Sequence, residues 1–443
     1  MKTALPISQR YQLWAACALT VIALYFGGGS RGAGDVVVHL TAILCMPIAL
    51  SAYDFTRQSR AAKQVLALFA ATAVVLLIQI IPLPVRIWEA LPLRDELTAD
   101  LRSSGDLLGA YPFSLDVWGT IRAILWLLVG FVTWLLVFGL DRRSQRTWLK
   151  FAALSLIPMA LLGFVQAAAG TQSTLRFHPY VNTMGATGMF ANRNHFADVM
   201  ALMSVIAIGF GVAAAHPEKI LTRPVWFSFA AMFAIGAAVS WSRFGLTLML
   251  GGCTLAALVA LFRGRADTRR PMTARIVASA AIGLGFIVWL VNYVWDTTIA
   301  RIVTDPTVGL RQQYWENSIE GFRAFGMMGS GAGSFASIYP LFEPVSQMGR
   351  FYALHAHNDI LEVAFEIGLP GLVILALATT FIIRQAVISV GRKSKHCSLI
   401  LILLIAVAIP MLHSLADYPL RTLAIWSLVC GILATVVKHN AEE

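Results

Sequence analysis

Charged residues are scarce in this chain. They make up 13% of its 443 residues, whereas hydrophobic residues make up 58%. A soluble globular domain is usually about half apolar and about one quarter charged. Several apolar runs are long enough to cross a bilayer, which takes about 20 residues for a helix. The composition therefore excludes an ordinary soluble domain and predicts an all-α polytopic membrane protein.

Motifs for metal and nucleotide chemistry are also missing. The five cysteines form no CxxC pair or Cys/His ligand spacing, and the chain has no Walker motif and no DxD pair. The Gly-rich stretch Gly329–Gly333 follows no predicted strand, so we expect a flexible turn there rather than a phosphate-binding loop. The scattered cysteines are expected to be buried small hydrophobes.

The net charge of +11 does not indicate a nucleic-acid partner, because the basic residues alternate between loops. Basic clusters follow every second predicted span, and all the lysines fall on that side. The positive-inside rule then places both termini in the cytoplasm. It places three separated segments together on the outer side: the loop ending at Arg193, the turn at Arg243 and the loop that contains His357.

Hydropathy divides the chain into about 12 transmembrane helices. Residues 1–295 are predicted to hold spans 1–9, with outer loops 82–118 and 170–193. Residues 296–359 form a long outer loop between spans 9 and 10, and residues 360–443 hold an interfacial helix and spans 10–12. We expect short amphipathic helices on the membrane interface within loop 82–118.

The stretch His355-Ala-His357-Asn358-Asp359 ends the long outer loop. Ionisable side chains at a membrane boundary are candidates for function, because keeping them there costs free energy. Histidine has a near-neutral intrinsic pKa, which suits removal of a proton from a sugar hydroxyl. His357 is therefore a candidate general base, whereas His355 and His195 are expected to be polar loop residues without a defined partner.

Three carboxylates follow this stretch. If a helix begins near Asn358, then Asp359, Glu362 and Glu366 lie on one of its faces. That face could orient an imidazole or contact sugar hydroxyls, or it could simply be solvated. We favour the solvated interpretation for Glu366 and leave both open for Glu362. The segment Gly368–Gly371 is expected to break the helix before span 10.

Arginine is suited to oxyanions, because its planar guanidinium binds phosphate in a bidentate manner and stays charged. Arg193, Arg243 and Arg311 all lie close to the outer membrane surface in the predicted topology. They could bind a lipid diphosphate, or they could bind lipid headgroups or structural carboxylates, which for Arg311 is the simpler interpretation. Asp417 and Arg421, between the last two predicted spans, could form an ion pair without a catalytic role.

The motif His357-Asn358, nine residues, then Gly368-x-x-Gly371 resembles the signature of the bacterial O-antigen ligase family, which includes O-antigen and exopolysaccharide polymerases. The stretch Gly188-Met-Phe-Ala-Asn-Arg-Asn-His-Phe-Ala is similar to a second segment of that family, and so is Ser242-Arg-Phe-Gly245. The resemblance covers most of the chain, and its sharpest motif lies in the last third.

This resemblance implies a GT-C-like fold and a glycosyltransferase of the bacterial inner membrane, with its active site on the periplasmic face. The enzyme would move a glycan from undecaprenyl diphosphate to a sugar hydroxyl, on lipid A-core for a ligase or on a growing polymer for a polymerase. No metal or other cofactor is implied. His357 matches the catalytic histidine of the family, with possible support from Asn358 and Glu362. The diphosphate-binding arginines match Arg193, Arg243 and Arg311.

Other functions remain open at this point. A polymerase, or an oligosaccharyltransferase acting on protein, would use the same donor chemistry as a ligase, which we favour slightly. A secondary anion transporter is an alternative of a different class. Transporters carry ionisable groups near the bilayer midplane, whereas an enzyme of this kind carries them at the outer surface.

Overall fold

The computed structural model describes residues 7–29, 32–54, 58–178, 181–213, 223–263, 306–349, 352–391 and 397–441. These residues are mostly helical, with almost no sheet. The helices of this part of the chain are α1 (Ile7–Phe26), α2 (Ala33–Ser51), α3 (Arg60–Gln79), α4 (Val85–Trp88), α5 (Arg94–Ser104), α6 (Val117–Gly139), α7 (Arg142–Ser155), α8 (Ile157–Ala169), α9 (Arg193–Ala213), α10 (Arg223–Val239), α11 (Arg243–Arg263), α12 (Pro306–Phe325), α13 (Phe335–Ile338), α14 (Asp359–Gly391), α15 (Cys397–His413) and α16 (Leu423–Ala441).

Eight helical segments among the described residues are long and apolar enough to cross a membrane. Helices α10 and α15 are apolar but shorter. The predicted ninth span lies outside the described residues. The fold is thus an all-α polytopic membrane protein, as expected, and the number of about 12 spans stays a prediction.

Two helices form the centres of the packing. Helix α9 packs against α10, α11 and α15, while α6 packs against α1, α2 and α16. Their residues are apolar on nearly every side, which is the pattern of a helix surrounded by others rather than of a surface helix. Helix α6 begins where the Asp116 carboxylate accepts a hydrogen bond from the Gly119 amide at 2.7 Å, a standard N-cap.

The loops that carry the candidate residues meet at one end of this bundle. The Ala191 amide, just before α9, donates to the Gly28 carbonyl at the end of α1. The Ala186 amide donates to Val239 at the end of α10, and the Asp359 amide donates to Ser414 after α15. The expected convergence of the three segments is therefore confirmed within the bundle. Which side of a membrane this end faces stays a prediction.

The same end carries a lobe made from two parts of the chain. Strands β1 (Pro82–Pro84) and β2 (Ala110–Pro112) pair antiparallel, next to α4 and α5. Residues 306–349 contribute α12, α13 and several short turns. Much of the segment predicted as a long loop is therefore helical, because the apolar side chains of Phe325, Phe335 and Phe365 form a small core of their own.

The Gly-rich stretch is a packed turn, so the expectation of a flexible one is wrong. Ser330 and Gly331 are buried, and their amides donate to the Phe365 and Glu366 carbonyls of α14. The predicted break in α14 is present at Gly368, whose φ of 67° and ψ of −148° are not helical. This region of backbone conformation is almost restricted to glycine.

Candidate functional site

The centre of the site is Asp417, in the turn between α15 and α16. Its side chain is completely buried. One carboxylate oxygen accepts hydrogen bonds from His357 Nδ1 at 3.0 Å and from the Tyr418 amide at 3.0 Å. The other accepts from Asn192 Nδ2 at 3.3 Å and from the Asn194 amide group. One buried carboxylate therefore joins the start of α9, the His357 segment and the turn before α16.

Cationic and imidazole groups surround the same carboxylate. The guanidinium of Arg311 lies 3.9 Å from Asp417 Oδ2, and His195 Nε2 lies 3.9 Å from Oδ1. Burial alone would raise the pKa of Asp417, but the hydrogen bond and charge of His357 lower it, with further contributions from His195 and Arg311. The net result is a pKa well below the usual range, so Asp417 is an anion at neutral pH.

His357 has a strained backbone, with a φ of +51° that is uncommon outside glycine. Holding such a conformation costs about 1–3 kcal/mol, so the surroundings must enforce it. The Trp315 indole donates to the His357 carbonyl at 3.3 Å, and the imidazole is tied to Asp417. The His357 side chain is 26% exposed. The ring is therefore fixed at one nitrogen and remains accessible.

The tautomer of His357 follows from its partner. An ionised carboxylate only accepts hydrogen bonds, so Nδ1 must carry the hydrogen. The lone pair then lies on Nε2, which can accept a proton from another molecule. This is the arrangement in which a carboxylate orients an imidazole as general base.

Asn358 supports this segment from the other side. Its side-chain oxygen accepts from the amides of Ile360 and Leu361 at 3.0 and 3.1 Å, which caps α14. Its amide group donates to the Leu415 carbonyl at 3.0 Å. Asn358 therefore couples the start of α14, directly after His357, to the turn that contains Asp417.

The three predicted arginines occupy different positions around this carboxylate. Arg311 on α12 approaches Asp417 itself. Arg193 begins α9 between the two asparagines that bind Asp417, and its Nη1 donates to the Met184 carbonyl at 3.1 Å. Arg243 begins α11, and the next residue, Phe244, packs edge-on against His413 at 5.0 Å between ring centroids. The structure thus places Arg311 and the Arg193 helix start at Asp417 itself, whereas the Arg243 helix start packs against His413.

The loop before Arg193 is held by two polar side chains. The buried Gln166 accepts from the Thr187 and Gly188 amides at 2.9 and 2.8 Å. Arg176 donates to the Asn182, Thr183 and Gly185 carbonyls at 3.0 to 3.1 Å. These contacts satisfy backbone groups that a membrane-proximal loop would otherwise leave without partners. The position of Arg193 is consequently well defined.

A second buried dyad lies next to the first. His413 Nδ1 is 2.6 Å from Asp198 Oδ1. Asp198 lies on α9, about one turn after His195. His195 is 1% exposed and contacts the Tyr418 ring edge-on. The expectation that His195 is a loop residue without a partner is therefore wrong, because α9 begins before it and buries it against Asp417.

The acidic face of α14 is also buried. Arg421 lies 3.0 to 3.1 Å from Asp359, Glu362 and Glu366. The solvated interpretation of Glu366 is therefore wrong, and Arg421 pairs with these three carboxylates rather than with Asp417. His355 is also partnered: its Nδ1 lies 2.8 Å from Glu362 Oε1.

Sequence reasoning missed Asp417 and the asparagines that bind it. A usable signal existed, since Asp417 follows a predicted span on the same side as His357. The imidazole of His357 can reach an acid in that turn only if α15 ends beside the start of α14. The sequence does not show that these two helix ends are neighbours.

Together, the fold and the site define an integral membrane protein with a carboxylate-oriented histidine and arginines at one end of a helical bundle. Residues 227–376 match the family model described as O-antigen ligase. This part of the chain is therefore similar to the O-antigen ligase and polymerase family, which implies lipid-linked glycan and acceptor sugar substrates in a membrane. The matched range includes Arg243, Arg311, His357 and Glu362, whereas Arg193 and Asp417 lie outside it. No curated protein matches the chain.

Proposed function

We propose that this protein is an O-antigen ligase-like glycosyltransferase, which moves a glycan from undecaprenyl diphosphate to a sugar hydroxyl of lipid A-core on the periplasmic face of the inner membrane. The observation that supports this most is the shared carboxylate. The Asp417 carboxylate accepts a hydrogen bond from His357 Nδ1 at 3.0 Å, and its other oxygen lies 3.9 Å from the Arg311 guanidinium. An imidazole that we assign as proton acceptor and a guanidinium that we assign to the diphosphate therefore share one carboxylate.

In the proposed reaction, His357 Nε2 takes the proton of the acceptor hydroxyl as its oxygen attacks the anomeric carbon. The new C–O bond forms while the bond between that carbon and the diphosphate oxygen breaks. The diphosphate leaves with the bonding electron pair. Arg193, Arg243 and Arg311 stabilise the negative charge that develops on it.

Each protein group has one task in this scheme. Asp417 keeps the hydrogen on His357 Nδ1 and stabilises the imidazolium that forms. Asn358 and Glu362 support the segment on either side of the histidine. Because a lipid diphosphate is already a good leaving group, positioning and electrostatics provide the rate enhancement, and no metal or cofactor takes part in the proposal.

A polymerase would use the same donor and the same residues, so the acceptor decides between the two activities. Deletion of the gene distinguishes them. Loss of capped lipopolysaccharide with lipid-linked polymer retained supports the ligase, and loss of long chains alone supports the polymerase.

Anion transport receives less support from this site. In the described spans, Asp198 and the carboxylates of α14 lie near the ends of their helices, as expected for a surface reaction centre. A binding site for transport is expected near the midplane.

The direct test is transfer by purified protein in detergent, with labelled undecaprenyl diphosphate-linked glycan and lipid A-core. His357→Ala should lower the rate by about 100-fold or more, because general bases contribute about 10²- to 10⁴-fold. His178→Ala is a matched control, since His178 lies in the loop before Arg193, and the hydrogen bond of its side chain among the described residues is to the Met189 carbonyl at 2.9 Å. Full transfer by correctly folded His357→Ala protein would reject the proposed role.

A further inference from the structure

A closed ring of contacts lies behind the His357–Asp417 pair. Arg421 Nη1 is 3.1 Å from Glu362 Oε1, and the same oxygen is 2.8 Å from His355 Nδ1. The His355 ring stacks on Tyr418, with 4.0 Å between centroids. The Arg421 amide in turn donates to the Tyr418 carbonyl at 3.2 Å. We call these four residues the Arg421 bracket.

The Arg421 bracket contacts the residue before His357 and includes the residue after Asp417. Glu362 Oε2 accepts from the amide of Ala356, the residue before His357, at 2.8 Å. Tyr418 directly follows Asp417, and its ring packs edge-on against the His357 imidazole at 5.0 Å. Both reactive residues are therefore attached, through their neighbours in the chain, to the same buried group of charges.

We propose that Arg421 is a positioning residue for glycan transfer, which acts through Glu362 to hold the His357 backbone against Asp417. This inference rests on the proposed function. Arg421 does not itself contact His357. Its guanidinium orients the Glu362 carboxylate, and Glu362 then fixes the His355–Ala356 segment by two hydrogen bonds.

The need for such a device follows from the His357 backbone. A φ of +51° is unfavourable for histidine, and without restraint this residue would relax to a commoner conformation. The relaxation would move the imidazole away from Asp417 and from the acceptor hydroxyl. Misplacement by about 1 Å can reduce a rate by about 100-fold.

The three carboxylates around Arg421 provide a matched comparison. Glu362 and Glu366 both contact Arg421, at 3.1 and 3.0 Å, and both are buried. Only Glu362 continues to His355 and Ala356, whereas Glu366 accepts from the Phe335 amide instead. Glu362→Gln and Glu366→Gln remove the same charge from the same cluster, but only the first removes an acceptor oxygen from the contacts that lead to the His357 segment.

The experiment measures kcat for each variant, together with the amount of labelled undecaprenyl diphosphate-linked glycan that the purified protein binds without acceptor. Glu362→Gln should lower kcat by about 10- to 100-fold while binding capacity stays unchanged. Glu366→Gln should stay within about threefold of the parent protein, because the His357 segment is untouched.

Arg421→Lys tests the origin of the effect. A lysine ammonium cannot reproduce the guanidinium contacts to three carboxylates, so kcat should fall as in Glu362→Gln. The double variant should fall no further, because both changes interrupt one chain of contacts.

Equal losses in Glu362→Gln and Glu366→Gln, or losses of kcat that follow losses of binding capacity, would overturn the positioning role in favour of a structural one. If Arg421→Lys does not fold, the comparison of the two glutamates decides by itself. His357→Ala is assayed in the same series. Activity in His357→Ala rejects the proposed function, whereas inactivity in His357→Ala with full activity in Glu362→Gln rejects only this inference.

Discussion

Asp417→Asn is the most informative single change in this protein. The substitution keeps the shape of the side chain but removes its charge and one of its two acceptor oxygens. Whichever way the new amide turns, its NH₂ group faces donors: either His357 Nδ1 and the Tyr418 amide, or the Asn192 and Asn194 side chains. At least one side of the network therefore loses its hydrogen bonds.

The size of the effect can be worked out from these contacts. A hydrogen bond to a charged group contributes about 1.5–3 kcal/mol, and the same carboxylate also stabilises the imidazolium electrostatically. The His357 side chain is 26% exposed, so solvent screens part of that attraction. We expect a loss of about 3–4 kcal/mol of transition-state stabilisation, which corresponds to a roughly 100- to 1,000-fold lower kcat.

The Michaelis constant for the lipid-linked donor should respond differently. Arg311 lies 3.9 Å from Asp417, and a neutral residue there would leave its guanidinium more available to a diphosphate. The donor KM of Asp417→Asn should therefore stay unchanged or fall. A lower kcat without a higher KM is the signature of an interaction made in the transition state.

The assay is transfer of labelled glycan by detergent-purified protein, with folding checked by monodisperse elution and melting temperature. Glu89→Gln is the control, since Glu89 forms an exposed pair with Arg102 at 3.3 Å, and such pairs contribute little. A folded Asp417→Asn protein with kcat within about threefold of the parent, or with a change only in KM, would refute the argument.

Three further predictions follow from single sites. Arg311→Met should raise the donor KM by about tenfold or more, since a charge-assisted contact to phosphate contributes about 1.5–3 kcal/mol, and an unchanged KM would contradict its role. Gly368→Ala should lower the melting temperature, because an added Cβ would meet the Met327 carbonyl oxygen at 2.2 Å, whereas Gly109→Ala, with nothing within 4 Å, should not. The depressed pKa of Asp417 contributes stability above the pKa of an unfolded aspartate, and this contribution is lost as the pH falls through the lower folded value. Asp417→Asn should therefore flatten the acid side of the stability profile, and an identical profile would contradict this assignment.

Much of the architecture could be predicted from local properties of the chain. Long apolar runs indicate helices that are buried in lipid or among other helices, so the all-α membrane fold follows from the sequence. The break at Gly368 follows from the local Gly-Leu-Pro-Gly segment. The alternation of basic loops also predicted correctly that Arg193, Arg243 and His357 lie at one end of the bundle. These features depend on residues that are close together along the chain.

Only the tertiary structure decided the partners at the site. Asp417 is 60 residues from His357 in the chain, and no periodicity relates them. Glu366 was expected in solvent because helical spacing defines a face but does not show what covers it, and Arg421 covers it from the turn before α16. Local sequence thus determined the helices and the end of the bundle at which the loops meet, whereas the packing of α9, α14 and α15 determined which carboxylate the histidine contacts.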